Sequence, residues 1–365
     1  MFANIYKGKK VLITGHTGFK GSWLSLWLLK LGAEVTGISI DIPTEPSLFS
    51  VLDLGNRLED NRADIRDLEA VKSIVKKVQP DFIFHLAAQP IVSLSYANPI
   101  ETFSTNVMGT AHLLESLKEL NKFCTCVIIT SDKCYENVEW VWGYKETDRL
   151  GGKDVYSASK GAAEIVFHSY LNSFYKDSTK IRLVSARAGN VIGGGDWAAD
   201  RIVPDCMRAW NLGKPVEIRS PRATRPWQHV LEPLSGYLLL GQAAFENKIL
   251  HGESFNFGPK SENNHSVLEL LNDLGDFWQL QGETQAYKII DNIPFHEAGL
   301  LKLNCDKALF FLKWLPTLEY NELTEMTSVW YYNYYNQITD MFEYTSNQIS
   351  NYERLASIKS AVWMS

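Results

Sequence analysis

Residues 130–133 read Thr-Ser-Asp-Lys, at the point where the apolar run CTCVII gives way to a polar loop. A carboxylate, Asp132, and an amine, Lys133, therefore stand side by side next to the hydroxyl of Ser131. Downstream, YSASK places Tyr156 and Lys160 four residues apart, on one face of a helix. A phenol that titrates near ~10 is a poor base at neutral pH. A neighbouring ammonium favours the phenolate, so Tyr156 beside Lys160 is expected to exchange a proton with a hydroxyl or carbonyl oxygen. Tyr6 and Lys10 share the spacing, but they precede the first strand and read as surface. Ser131 would complete a donor pair with Tyr156 on an oxygen being oxidised. A simple dehydrogenase needs only Ser, Tyr and Lys. Elimination of water also uses an acid and a base, one to remove a proton α to a carbonyl and one to protonate the departing hydroxyl, which gives Asp132 and Lys133 work.

A second constellation lies at the start of the chain. In TGHTGFKG, Gly15, Gly18 and Gly21 recur every third residue between a strand-like KVLITG and a helix-like FKGSWLSLWLLKLG. Such glycines allow a tight turn, close approach of backbone to a pyrophosphate, and helix–strand packing. The helix N-terminus supplies free N–H groups and a positive dipole end, so phosphate binding there requires no Lys or Arg. Asp41 lies twenty positions beyond Gly21, at the end of the second strand, where a carboxylate accepts from a ribose 2′-OH and repels a 2′-phosphate. No Lys or Arg falls between Gly32 and Asp41, so NAD is expected over NADP. Asp64 in ADIRD is placed either to meet an adenine edge, with Ile65 donating from its backbone, or to cap the next helix; Asp67 reads as the cap.

These groups need a scaffold that brings loops to one edge. Up to about residue 187, short β-rich runs (AEVTGISI, DFIFHLAA, CTCVIITS, IRLVSARAG) alternate with helical patterns (DLEAVKSIVKKV, IETFSTNVMGTAHLLESLKEL, SASKGAAEIVFHSYLNSF). Continuous rather than alternating apolar strands indicate a sheet covered on both faces, so the fold class is α/β, a Rossmann-like doubly wound parallel sheet with a smaller, mainly C-terminal α/β substrate-binding domain. Ligands bind such sheets at the carboxyl edge. The expected division is 1–187 plus about 229–257 for the dinucleotide and 188–228 with 258–365 for the substrate. NVIGGGDW and IRSPRATRPW, rich in Gly, Pro and Arg, read as ligand-facing loops. LEPLSGYLLLGQAAF reads as a helix, SFNFG and AYKIID as strands, and MTSVWYYNYYNQITDMF as a helix packed on the small lobe or on another subunit rather than one that stacks on a ligand.

The 365 residues suit one large α/β domain plus a lobe. Net charge of −6 with no basic run speaks against a nucleic-acid or anionic-membrane partner. The five cysteines form neither a disulfide framework nor a metal pattern; no metal is expected, and the cytoplasm is. WLSLWLLKLG is too short to span a bilayer.

The glycine triplet, HLAAQP, Asn106 in STNVMGT, the Ser131/Tyr156/Lys160 set and NFGP together resemble the extended short-chain dehydrogenase/reductases that act on nucleotide sugars. GHTGFKGSWL, TSDKCYEN, EWVWGY, ARAGNVIGGGDWAADR and RPWQHVLEPLSGY resemble, among these, the 4,6-dehydratases that take CDP-D-glucose. The resemblance implies NAD held by Gly15, Thr17, Gly18, Phe19, Gly21, Asp41, Asp64, Ile65, Ala87, Tyr156 and Lys160. It implies substrate contacts from Gln89, Asn190, Arg201, Arg219 and Arg225, and a homodimer or homotetramer built on paired long helices. By the same resemblance Asp132 protonates the C6 hydroxyl of the sugar as it leaves. The dTDP-glucose relatives carry Glu where this chain has Lys133, and the CDP branch carries Lys. Lys133 is then either the base at C5 or a holder of Asp132 or of the leaving hydroxyl; a lysine acts as base only when held neutral, which partial burial near another cation favours. Trp197 or Trp227 either stacks on cytosine or is buried in the small lobe. Rival readings are a 4-epimerase or a dehydratase for another nucleotide, and, in a different class, a non-catalytic dinucleotide sensor.

Overall fold

The computed structural model describes residues 1–260, 263–280, 282–290 and 300–365. Seven strands form the main sheet: β1 (Lys10–Thr14), β2 (Glu34–Ser39), β3 (Glu59–Arg62), β4 (Phe82–His85), β5 (Cys124–Ile129), β6 (Ile181–Arg187) and β7 (Ser254–Asn256). Their order is β7-β6-β5-β4-β1-β2-β3, and every pairing is parallel. The chain reverses direction across the sheet between β1 and β4, which opens a crevice at their carboxyl ends.

The continuous apolar strands are continuous because both faces are covered. Val11, Ile13, Phe82, Phe84 and Val127 point to one core, with α1 (Phe19–Lys30) and later helices. Leu12, Ile83, Cys126 and Ile128 point to the other, which is shared with α2 (Leu68–Val78), α3 (Gly109–Ser116) and α4 (Val155–Tyr170). β3, at the sheet edge, is the polar exception.

The run expected as one long helix from Ile100 is interrupted. Pro99–Phe103 leads into a π-turn at Ser104–Met108 before α3 begins. The wider turn carries Asn106 into the protein, where it is buried. The aromatic run also divides, into α7 (Tyr320–Tyr335) and α8 (Met341–Ile358), which follow α5 (Ile202–Asn211) and α6 (Leu231–Glu246). Trp330 and Tyr331 of α7 are fully buried within this chain. A Cβ at Gly194 would collide with the Trp330 ring, and Tyr331 Oη donates to Asp196 O at 2.5 Å, so the helix holds the GGGDW loop in place.

Helix α8, expected with the substrate lobe, packs on α7, where Thr345 accepts from Trp330 Nε1 at 2.9 Å, and also reaches the dinucleotide half. Trp27 Nε1 of α1 donates to Glu353 Oε1 at 2.8 Å, and the Trp27 ring meets Tyr352 and Trp363 edge-on. Of AYKIID, Tyr287–Ile289 is a strand, and Asp291 lies outside the described residues. Among the described residues no helix is long and apolar enough to cross a membrane, and no cluster of three His, Cys, Asp or Glu could hold a metal ion.

Candidate active site

The dinucleotide crevice is shaped by backbone. Gly15 ends β1 with φ +77°, and a Cβ there would lie 2.7 Å from Ala87 N, just beyond β4. A Cβ at Gly21 would be driven into the Gly15 carbonyl, so only glycine lets α1 sit this close to the turn. Gly18 is the extended residue that opens α1, and Phe19 is its first helical residue. Thr17 Oγ1 donates to the carbonyl of Asp41 at 2.7 Å, tying the glycine turn to the exposed segment after β2.

Asp67 caps α2 by accepting from Ala70 N, as expected. Asp64 is not a cap: it accepts from Arg66 N at 2.8 Å and pairs with the Arg66 guanidinium at 2.6 Å. Burial pushes its acidity one way and Arg66 the other, and Arg66 prevails, holding the carboxyl below its usual range. Ile65 is buried, with its carbonyl accepting from His112 Nδ1. Gln89 is bonded at both ends of its amide, donating to Thr102 Oγ1 at 2.9 Å and accepting from Ile91 N at 2.6 Å, so in this conformation its side chain shapes its own loop. Asn106 fastens that loop, taking Gln89 N at 2.8 Å and donating to Ser159 Oγ at 2.8 Å. Ser159 in turn donates to Tyr156 O.

The reacting groups converge where β5 ends and α4 begins. Ser131, Asp132, Tyr156 and Lys160 are all less than 9% exposed. Ser131 Oγ donates to Asp132 Oδ1 at 2.7 Å and accepts from Lys133 N at 3.2 Å. Asn190, in a left-handed conformation after β6, donates to Asp132 Oδ2 at 3.4 Å. Asp154 caps α4 and so sets the rotation that turns Tyr156 inward. The ammonium of Lys160 lies 5.8 Å from the Tyr156 ring centroid.

Electrostatics here correct the expectation from spacing. The Tyr156 phenol is pushed up to about 12 by burial; the charge that most opposes this is the Arg201 guanidinium rather than Lys160. Lys160 is itself drawn down to about 8 by burial, against Cys134 and Glu164. Burial wins because the walls around α4 exclude water from both groups.

Arg201 is held by Asp196 at 2.7 Å and a third exposed, so it stands at the mouth of the site. Arg219 is exposed just after a short strand, Val216–Ile218. Arg225 donates to Thr224 O and pairs across to His265. Trp197 and Trp227 are both buried: Trp197 packs against Trp330, Tyr331 and Tyr334, and Trp227 Nε1 donates to His265 O. Both belong to the lobe's packing.

Two sets of residues escape a reading by motif. Lys20, the second residue of α1, is drawn down to about 8 by burial and then by Arg201, with Asp132 opposing and Lys160 adding to it, so its ammonium shares the reacting site. Glu164 and Arg187 form a pair at 2.8 Å with both side chains essentially unexposed. Thr130 Oγ1 donates to Glu164 Oε1 at 2.5 Å, Ser185 Oγ to Oε2 at 3.0 Å, and Arg187 Nη1 to Tyr135 Oη at 2.8 Å. This pair bolts the catalytic loop to α4 and β6. Its signal in sequence is an arginine at the carboxyl end of a continuous apolar strand, where burial demands an opposite charge from the covering helix.

Known proteins share this chain's sequence and fold. A family model described as GDP-mannose 4,6 dehydratase matches residues 12–327. The chain is 45% identical to a CDP-glucose 4,6-dehydratase of Salmonella typhimurium over 353 residues, 96% of this chain and 97% of that one. It is 29% identical to a CDP-paratose 2-epimerase of Salmonella typhi, covering 73% and 84%. The fold is shared with the epimerase Mth375 of Methanothermobacter thermautotrophicus (TM-score 0.78, 24% identity, 92% of this chain and 96% of that chain). It is shared also with a Bacillus anthracis dTDP-glucose 4,6-dehydratase in complex with NAD (TM-score 0.74, 20% identity, 89% and 97%).

Proposed function

The chain belongs to the GDP-mannose 4,6-dehydratase family, and we propose that it is an NAD-dependent hydro-lyase that converts CDP-D-glucose to CDP-4-dehydro-6-deoxy-D-glucose. The observation that carries this reading is Asp132: a buried carboxylate in hydrogen-bond contact with Ser131 and Asn190, next to Tyr156 and Lys160. A 4-epimerase has no use for an acid there, and a dinucleotide sensor has no use for the whole set.

The crevice fits NAD, because Gly15 and Gly21 let the turn pack against Ala87 and α1 more closely than any Cβ would allow, and α1 opens at that turn with its N-terminal N–H groups. Gly15, Thr17, Gly18, Phe19, Gly21, Asp41, Asp64, Ile65 and Ala87 would hold it, with Lys160 at the nicotinamide ribose. The chemistry it supplies when bound is reversible storage of one hydride. Tyr156 removes the C4 hydroxyl proton, helped by the positive charge of Arg201. Ser131 holds the resulting carbonyl oxygen. The ketone acidifies C5, Lys133 takes that proton, and Asp132 protonates the C6 hydroxyl as water leaves; once the stored hydride is back at C6, Lys133 returns its proton to C5. Asn190, Arg201, Arg219 and Arg225 are assigned to the nucleotide sugar, Arg because its forked donors suit phosphate.

Residues 1–187 with about 229–257 are taken as the dinucleotide domain and the remainder as the substrate domain. Ile100, Phe103, Met108, Ile165 and Phe174 expose apolar surface along Pro99–Phe103, the π-turn, α4 and the turn that follows α4. A second copy of the chain is proposed to cover it, giving a dimer or tetramer in the cytoplasm that feeds deoxysugar synthesis for surface polysaccharide.

The test is turnover of CDP-glucose with deuterium at C4, which should reappear in the C6 methyl group. Asp132→Asn and Lys133→Met should still reduce the cofactor yet release little 4-keto-6-deoxy product. Unchanged turnover in these variants, or loss of the label to solvent, would sink the assignment.

A further inference from the structure

Asp132 and Asn190 line a pocket together with three residues given no role so far: Gln228, Lys260 and Lys302. Gln228 is 2% exposed. Its amide nitrogen donates to Gly189 O at 2.9 Å and to Phe257 O at 3.1 Å. Two carbonyls at that end fix the amide's orientation, since a flip would set oxygen against oxygen. Its backbone is fixed too, donating to Asn190 O and pairing with Val191. The other end of the side chain, Oε1, is buried with no hydrogen-bond partner among the described residues. Buried acceptors are nearly always satisfied, so an unpartnered one in the wall of a reacting pocket awaits a ligand O–H or N–H.

Lys302 arrives from far along the chain, and the EWVWGY segment explains how. Tyr144 N donates to Lys302 O at 2.9 Å, and Asn304 N returns a bond to Tyr144 O at 2.9 Å. A Cβ at Gly143 would lie 2.6 Å from Asn304 N, so the approach of the two segments requires glycine. Asn256 Nδ2 clamps the pair by donating to both Tyr144 O and Asn304 O. The backbone carrying Lys302 is thereby anchored to the loop that follows the catalytic residues. Lys260 is engaged by Glu319 at 3.1 Å and is set aside.

We propose that Gln228 and Lys302 are specificity-determining residues that read the hexose: Gln228 Oε1 accepts from a sugar hydroxyl, and the Lys302 ammonium donates to a sugar oxygen. A diphosphate carries no hydroxyl proton at neutral pH, so the acceptor suits the sugar. Asp132 in the same pocket places that sugar's reacting end. This inference rests on the nucleotide-sugar reading above.

The test is steady-state kinetics of the holoenzyme with CDP-glucose, its 2-deoxy and 3-deoxy analogues, and CDP as inhibitor. Lys302→Met should raise KM for CDP-glucose roughly tenfold or more, Lys302→Arg should restore most of it, and the inhibition constant of CDP should move less than about twofold. In the wild type one deoxy analogue should bind more weakly than CDP-glucose, and Gln228→Leu should abolish that difference, a response that loss of packing alone does not produce. An unchanged KM in Lys302→Met overturns the role of Lys302. So does a parallel loss of CDP affinity, which moves the ammonium to the diphosphate. A deoxy penalty retained in Gln228→Leu overturns the role of Gln228; should that variant not fold, a wild type indifferent to both deoxy analogues overturns it instead. If the wild type turns over a different nucleotide hexose, the proposed function falls while the same series on that sugar decides the pair. A wild type that turns over none overturns both.

Discussion

The two edges of the crevice are made of different materials. On the side of β1, β2 and β4, shape comes from backbone: Gly15 against Ala87, Gly21 against the Gly15 carbonyl, Thr17 tied to the Asp41 carbonyl. On the side of β5, β6 and α4, it comes from charged and polar side chains that meet from distant positions: Thr130 with Glu164, Glu164 with Arg187, Asp132 with Asn190. The signal for a site of the first kind can be written in eight consecutive residues, even though Ala87 and Asp41 complete it. One of the second kind exists only once the chain has folded.

The sharpest way to separate the edges is Tyr156→Phe. It should lower kcat by about a thousandfold, the middle of the range for a positioned proton carrier, while the protein still purifies with its dinucleotide. Loss of cofactor in that variant would mean the edges are not independent. Gly15→Ala should do the reverse, because it adds a Cβ at φ +77° and 2.7 Å from Ala87 N. The expected result is protein that is folded by circular dichroism but largely free of NAD when the heat-released cofactor is assayed.

Glu164→Gln probes the side-chain edge for stability. Leaving Arg187 buried without its partner should cost about 3–5 kcal/mol in denaturant unfolding, and the double variant with Arg187→Met should recover a good part of it. A cost below about 1 kcal/mol would mean that water reaches the pair.

The smallest effect is in pH. Lys160 loses its proton near pH 8 in the folded protein but near ~10.4 when unfolded. If its ammonium holds the cofactor ribose, kcat should fall as pH rises through about 8. Between those values the unfolded chain binds more protons, so this group's contribution to stability rises with pH while activity falls. Activity and stability declining together would contradict that assignment.

The same contrast explains what was legible in sequence. The order of elements, the parallel sheet, the glycine turn and the Tyr156–Lys160 face follow from local patterns and were readable. Asp64 was readable only as a pair of alternatives, because spacing does not say that Arg66 turns back onto it while Asp67 takes the cap. The direction of the Tyr156 shift was not readable, since burial is a property of all the walls at once. Neither was the arrival of Lys302 beside Asp132, which depends on a backbone pairing between residues 144 and 302–304. The place of α8 on α1 was also hidden, because a helix with apolar residues says that it packs but not against what.

The π-turn at Ser104–Met108 holds one residue more than an α-helix would need. Deleting a neighbour such as Val107 would restore an even spiral and rotate everything beyond it by about 100°. Asn106 would then release Gln89 and Ser159 together, and Tyr156 would lose its link to the loop opposite. A shortened chain would thus own the sturdier rod and the poorer catalyst, and natural variation at this spot is expected to tolerate exchanges of side chain far better than changes of length.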